Sequence, residues 1–275
     1  MRILLTALFL LVAAPAVAGE QLEPFPGLAT STEETARYQR CVAAAEKSPA
    51  EGFEEAMAWR DGGGGHAARH CVAMALFYLG QPAAAAVRLE ELAERARAVP
   101  PVLRARVLAQ AGSLWRLSGD IERSHAVLTT AIQAVPDQPD LYVDRATTLA
   151  AAKNYWEAID DLNKAIDLEP RYGIAFAFRA AAYRFVDSLD LAADDAEQAV
   201  RLAPNLPEGW LERGILRRLR GDGAGARADW LRVLTLDPDG AAGDAARANI
   251  ERLEYRLEDK PAELPARRTR WWNPF

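Results

Sequence analysis

Between residues 105 and 240 the chain alternates segments of helical apolar periodicity with polar breaks, and its smallest core positions recur at a fixed interval. Counted in units of 34 residues, the eighth, twentieth and twenty-seventh positions carry small or modest side chains: Gly112, Ala146, Ala180, Gly214; Ser124, Ala158, Ala192, Ala226; Ala131, Ala165, Ala199, Val233. Prolines near the end of each unit are Pro136, Pro170, Pro204 and Pro238. Small side chains let helices approach closely and proline ends a helix, so the pattern predicts stacked antiparallel helix pairs.

Large residues complete each unit at positions 4, 11, 17 and 24, as with Tyr142, Leu149, Tyr155 and Leu162 in the unit that starts at Pro139. This combination resembles the tetratricopeptide-repeat family, over about half of the chain. The resemblance implies an all-α fold, a right-handed α-solenoid of antiparallel helix pairs, and a role in binding other proteins. It places four units at 105–138, 139–172, 173–206 and 207–240.

Weaker versions of the pattern flank these units. We expect a linker at 19–31 and two divergent helical repeats over 32–104, with the residues Pro100 to Arg104 inserted before the first regular unit. A helix over 241–257 is expected to cap the array, because the last unit has no following neighbour. A polar tail follows at 258–275.

The first 18 residues have the features of a secretory signal. Arg2 precedes an apolar run, and Ala16 and Ala18 form a small-x-small cleavage motif. An uncleaved anchor is the alternative, although the apolar run is short for a membrane span. We therefore expect a cleaved signal peptide at 1–18, a bacterial protein that is periplasmic or secreted, and no integral membrane span after cleavage. The net charge of −6 gives no basic footprint for nucleic acid.

Position 7 carries an arginine in three units, and each of those units carries an aspartate at position 23. The pairs are Arg145 and Asp161, Arg179 and Asp195, and Arg213 and Asp229. The unit without the arginine, which has Ala111, lacks the aspartate as well and has Val127. Because an unpaired buried charge is costly, paired presence and absence favours structural ion pairs over a row of cations for an acidic ligand.

The resemblance also places a concave groove along the first helix of each unit. Its expected residues are Arg116, Leu117, Val143, Thr147, Ala177, Ala181, Arg184, Phe185, Leu211, Ile215, Arg218 and Leu219. An apolar surface with arginines suits a peptide that has acidic and hydrophobic side chains, because guanidinium binds carboxylate through two hydrogen bonds. The alternative is that Arg116, Arg184 and Arg218 are solvated surface residues, which is the commoner fate of arginine.

The two cysteines, Cys41 and Cys71, are expected on the first helices of neighbouring N-terminal repeats. In an oxidising compartment this pair favours a disulfide, with two buried thiols as the alternative. His66 and His70 lie one helical turn apart beside Cys71 and form the best candidate for a metal site, but paired histidines alone are weak evidence. We therefore expect no metal and no cofactor.

The tail contains three aromatic residues, Trp271, Trp272 and Phe275, close to three arginines. It is disordered, docks on its own array, or contacts a partner or an anionic membrane surface. The whole pattern predicts a non-enzymatic adaptor that binds another envelope protein or peptide in its groove. A structural subunit assembled through the tail and outer surface is the alternative, and an enzyme with a site near His66 is a weaker one. The sequence does not determine the oligomeric state.

Overall fold

The computed structural model describes residues 24–258. In this range the chain forms a short 3-10 helix, Pro26–Leu28, and thirteen α-helices. The α-helices are α1 Thr32–Lys47, α2 Pro49–Asp61, α3 Gly65–Tyr78, α4 Pro82–Arg95, α5 Pro101–Leu117, α6 Ile121–Ala134, α7 Pro139–Ala151, α8 Tyr155–Leu168, α9 Gly173–Phe185, α10 Leu189–Leu202, α11 Pro207–Leu219, α12 Gly223–Leu236 and α13 Ala241–Glu258. No strand occurs in the described part of the chain. The fold is an all-α solenoid.

The helices pack as successive pairs, and each helix touches the next one along the chain. In addition, the first helices of adjacent pairs touch one another, from α5 to α7, α9, α11 and α13. The first helices therefore form one continuous inner layer and the second helices form the outer layer.

Small residues set the spacing within each pair. A Cβ atom built on Gly112 would lie 2.6 Å from Cγ of Leu128, and one on Gly214 would lie 2.5 Å from the Nε1 of Trp230. Both partners stand at position 24 of the second helix. Position 8 must be small because the large residue of the facing helix occupies the space.

Each repeat proline lies two residues beyond the end of a second helix, as Pro136 does after α6. The backbone carbonyl groups of two of these prolines accept hydrogen bonds from the following repeat. Tyr142 donates its hydroxyl to the carbonyl of Pro136 at 3.0 Å, and Trp210 donates its indole N–H to the carbonyl of Pro204 at 2.9 Å. In these two units the aromatic residue at position 4 thus fixes the link to the preceding repeat.

The segment Pro100 to Arg104, expected as an insertion before the first regular unit, is mostly helical, because α5 begins at Pro101 and runs through to Leu117. Proline at the first position of a helix is compatible with helical backbone, so the extra residues lengthen α5 by one turn. Leu103 on this turn lies against Gly27 of the N-terminal segment.

The N-terminal and C-terminal ends of the expected organisation lie outside the described residues. These are the signal peptide at 1–18, residues 19–23 of the linker at 19–31, and residues 259–275 of the tail with Trp271, Trp272 and Phe275. The capping helix is present as α13 and reaches Glu258, one residue beyond the expected end. Among residues 24–258, none of the helices has the length and apolar character needed to cross a bilayer.

Candidate binding surface

The inner layer presents two large apolar side chains to solvent at matching places. Phe185 ends α9 and is 55% exposed, and Leu219 ends α11 and is 48% exposed. Both stand at position 13 of their units. Exposed large apolar residues repeated at one place on neighbouring helices are typical of an interaction surface.

The other apolar residues expected in the groove divide into two classes. Five are partly buried and border the inner surface: Leu117, Thr147, Ala181, Leu211 and Ile215. Val143 and Ala177 are buried, at 5% and 2% exposure, so their assignment to an open groove is wrong. Val143 belongs to a core cluster that also contains Ala109 of α5, so in this unit the side chain packs toward the neighbouring first helix and not into the solvent.

Arg184 also departs from expectation. Its guanidinium forms an ion pair with the carboxylate of Glu212 on α11, with one contact from Nε and a second from Nη2 to Oε2 at 3.2 Å. Glu212 is only 5% exposed, and burial raises the pKa of its carboxyl group while Arg184 acts to lower it. Arg184 thus ties two successive first helices together and is not a free cation for a ligand.

A spacing rule in the sequence would have found this pair. Glu212 stands 28 residues after Arg184, at position 6 of the next unit, and Asp144 stands at the same distance from Arg116. The equivalent place for Arg218 is Ala246, which has no charge. In the structure the Nε of Arg218 is buried and has no hydrogen-bond partner among the described residues. Arg218 is therefore the arginine of this set that no carboxylate of residues 24–258 neutralises.

An aromatic stack borders this part of the surface. The rings of Tyr155 and Phe185 are parallel within 5°, and their centroids lie 4.6 Å apart. The guanidinium of Arg184 lies 4.4 Å from the centroid of the Phe185 ring. Because Tyr155 begins α8 and Arg184 is bound to Glu212, Phe185 is held in position from both sides.

The arginines at position 7 form the expected pairs. Each donates from Nε and Nη2 to both carboxylate oxygens of its aspartate, at 2.7–2.9 Å. The hydrogen bonds to Asp161 and Asp229 raise the pKa of Arg145 and of Arg213 above the usual arginine range. In the first regular unit, Ala111 and Val127 are both buried and replace such a pair with an apolar contact.

Sequence analysis missed the third partner of each of these arginines. The remaining Nη1 donates to position 25 of the preceding unit. The pairs are Arg145 with Thr129 at 3.1 Å, Arg179 with Asn163 at 2.7 Å, and Arg213 with Glu197 at 2.9 Å. Since the acceptor is a hydroxyl, an amide and a carboxylate in turn, residue identity alone gives little signal. One guanidinium therefore joins two helices of its own repeat to the outer helix of the repeat before it.

The disulfide between Cys41 and Cys71 is present and joins α1 to α3, with an S–S distance of 2.02 Å. His70 is completely buried next to it. The Nδ1 of His70 lies 2.8 Å from the hydroxyl of Tyr38, and its Nε2 lies 2.8 Å from Oε1 of Gln110. The backbone N–H of Phe25 also donates to the Tyr38 hydroxyl, so this network joins the N-terminal segment to α1, α3 and α5.

This arrangement argues against the metal site considered at His66, His70 and Cys71. The sulfur of Cys71 is in the disulfide, and both ring nitrogens of His70 are hydrogen-bonded. Burial lowers the pKa of His70 to about 4, so the ring is neutral at ordinary pH. Within the described residues, no group of three histidine, cysteine or acidic side chains is arranged to hold a metal ion.

Comparison with known proteins supports the assignment of the repeats. No protein-family model matches the chain. The heat-shock protein cognate co-chaperone sgt12 of Aspergillus fumigatus is 30% identical over 118 residues, which are 42% of this chain and 34% of that protein. The protein O-mannosyl-transferase TMTC1 of Homo sapiens is 24% identical over 201 residues, 59% of this chain and 23% of that protein. The chain thus spans about a third or less of these two curated relatives.

Solved structures show the same fold. A thermophilic tetratricopeptide-repeat protein of Thermus thermophilus superimposes with a TM-score of 0.57, at 18% identity, over 69% of this chain and 99% of that one. The chain therefore has the fold of tetratricopeptide-repeat solenoids. A double mutant of MamA RS-1 superimposes with a TM-score of 0.50, at 19% identity, over 63% of this chain and 94% of that one.

Proposed function

We propose that this protein is an exported tetratricopeptide-repeat scaffold that binds a segment of another envelope protein on its inner layer. The observation that carries the proposal is the pair of exposed side chains Phe185 and Leu219, with the unneutralised Arg218 between them along the chain. A peptide with apolar side chains and one acidic side chain matches this surface, because burial of the apolar groups drives association and the carboxylate meets the guanidinium. The likeness to a co-chaperone of a heat-shock cognate protein supports a protein-binding role.

Export is part of the same proposal. It is supported by the signal-like residues 1–18 and by the disulfide, since disulfides persist in oxidising compartments. We expect the mature protein to begin at Gly19. N-terminal sequencing of the protein recovered from an envelope fraction tests this, and a protein that retains Met1, or that remains in the cytoplasmic fraction, would contradict it.

Partner binding is tested by cross-linking the mature protein in its own envelope and identifying captured proteins by mass spectrometry. The inner-layer variant combines Phe185→Ser, Arg218→Glu and Leu219→Ser. The matched control combines Leu191→Ser, Arg201→Glu and Leu231→Ser, which change two exposed leucines and one exposed arginine on the second helices α10 and α12. Arg184→Glu is avoided, because it would place a carboxylate against the buried Glu212.

We expect the wild type and the control variant to capture the same discrete envelope protein, and the inner-layer variant to lose it. Capture that survives the inner-layer variant but is lost on deletion of 259–275 would overturn the proposal in favour of a subunit assembled through its tail. Capture that is unaffected by either change would assign binding to the outer surface.

A further inference from the structure

A separate pocket lies in the N-terminal repeats, away from the inner surface of the regular units. It is formed by α2, α3 and α4 and has a volume of about 310 Å³. Its lining consists of Arg60, Asp61, Arg69, Val72, Arg88, Glu91, Leu92 and Arg95. Four guanidinium groups from three different helices thus converge on one cavity in a chain whose net charge is −6.

The two carboxylates in the pocket account for two of the four arginines. Arg60 forms an ion pair with Asp61 at 2.8 Å, and Arg88 forms one with Glu91 at 2.9 Å. Arg69 and Arg95 have no carboxylate within ion-pair distance among the described residues. The pocket therefore carries an excess of two positive charges.

The pocket also has a fixed floor. Val72 and Leu92 are buried at 1% and 0% exposure, and α3 is tied to α1 by the disulfide at Cys71, two residues after Arg69. The arginines consequently start from packed helices and not from loops, which lowers the cost of ordering them around a ligand.

We propose that this pocket binds a compact oxyanion, either a phosphate group or a pair of carboxylates, carried by a small ligand or by the side chains of one partner segment. Guanidinium groups recognise both kinds of oxyanion through paired N–H donors. The volume lies at the lower end of the range for small-ligand pockets, so the site fits one anionic group and not an extended polymer. This site does not depend on the proposed function of the inner layer.

Binding is measured by isothermal titration calorimetry on the mature protein at low salt, with separate probes. The probes are inorganic phosphate, citrate, a short peptide with one phosphoserine, and the same peptide with two glutamates in its place. The test variant is Arg69→Gln with Arg95→Gln. The matched control is Arg97→Gln with Arg104→Gln, which removes two arginines of the same N-terminal region that do not line this pocket.

We expect at least one probe to bind the wild type and the control equally, and to bind the test variant at least about tenfold more weakly. Binding of the free ions assigns the site to a small ligand, whereas binding of only the peptides assigns it to a partner side chain. The test variant should retain the wild-type melting temperature, because neither arginine has an ion-pair partner to lose. If no probe binds the wild type, or if the test variant binds as the wild type does, the proposal is wrong.

Discussion

Arg179 shows how much of this fold depends on single residues. Its guanidinium binds both oxygens of Asp195 on the second helix of its own repeat, and it also binds Asn163 on the repeat before. The side chain lies over the rings of Phe176 and Tyr183 as well, at 5.3 and 5.8 Å from their centroids. One residue thus fixes the angle within a helix pair and the angle between pairs.

Removing only one partner of the ion pair between Arg179 and Asp195 should destabilise the protein more than removing both partners. We expect Asp195→Val to destabilise the protein by about 3 kcal/mol, because Arg179 would remain in a largely buried place without its carboxylate. The double variant Arg179→Ala with Asp195→Val places at positions 7 and 23 the alanine and valine that the first regular unit has as Ala111 and Val127. It should therefore regain part of the lost stability. Urea unfolding measures both. A double variant that is less stable than the single one would contradict the ion-pair interpretation.

His70 makes stability depend on pH. Burial lowers its pKa in the folded protein to about 4, whereas in the unfolded chain the ring titrates near its usual value of 6.5. The unfolded state therefore takes up a proton first as the pH falls. The full stability is present above about pH 6.5, and up to about 3 kcal/mol of it is lost between there and pH 4.

The variant His70→Gln should flatten this pH dependence, and His125→Gln, which changes an exposed histidine, should not. Denaturant unfolding at a series of pH values provides the comparison. If His70→Gln does not fold, NMR of the imidazole nitrogens in the wild type measures the pKa of His70 in the folded protein directly. Protonation of His70 at its ordinary pKa in the folded protein would refute the prediction.

At the scale of the element, the turn inside each helix pair has one position whose backbone conformation favours glycine. Position 15 lies in the left-handed region in every regular unit, with φ of 87° at Gly119, 64° at Lys153, 59° at Asp187 and 88° at Gly221. Gly80 takes the same conformation between α3 and α4, at φ 72°. Two units thus carry a side chain where glycine costs less.

Replacing Lys153 by glycine should therefore stabilise the protein. Relief of the left-handed strain contributes about 1–2 kcal/mol, and the greater freedom of glycine in the unfolded chain offsets part of it, so we expect a net gain of about 0.5–1 kcal/mol. The reverse change, Gly119→Ala, should cost about 1 kcal/mol. A Cβ at Gly119 would meet nothing within 4 Å, so this loss reports the backbone alone. Thermal and urea unfolding measure both, and a destabilised Lys153→Gly variant would contradict the argument.

At the scale of the whole molecule, stability is distributed along the array. Each repeat touches its neighbours. The N-terminal helix pairs have two further stabilising features, a disulfide and a buried hydrogen-bond network. The disulfide closes a loop with a sequence separation of 30, and the network around His70 reaches from Phe25 to Gln110. Both features lie where the 34-residue pattern is weakest, so they replace the regular contacts there.

Removing the disulfide should consequently act locally. We expect Cys41→Ser with Cys71→Ser to lower the stability of the N-terminal repeats by about 3–4 kcal/mol, following the entropy of closing a loop of this length. Hydrogen exchange should show lost protection in α1–α3 and little change over 139–240. An equal loss of protection along the whole chain would show instead that the array unfolds as one unit.

Much of the fold was predictable from the sequence because each regular unit solves the same local packing problem. The helix pairs, the turns and the small residues all follow from contacts within one 34-residue unit, and the proline that follows each second helix recurs with the same period. The pairs of Arg145, Arg179 and Arg213 were predictable for the same reason, since both partners belong to one unit and vary together. The disulfide followed from two cysteines on neighbouring first helices.

The candidate surfaces were less predictable, since they depend on which residues of separate repeats meet. Val143 and Ala177 have the residue types and positions of a groove, but the spacing of adjacent first helices buries them. Arg184 has the same position as Arg218, and only the presence of Glu212 on the next helix distinguishes a bound guanidinium from an unneutralised one.

By itself, the sequence determined the repeat, the order of the helices and the pairs inside each unit, because these interactions are local and recur. The stacking of one unit on the next decided the rest. It left Phe185 and Leu219 exposed on the inner layer, left Arg218 without a carboxylate partner among the described residues, enclosed His70, and brought four arginines of α2, α3 and α4 around one pocket. Burial and charge balance at a site are properties of all the helices that surround it, so they exist only in the assembled fold.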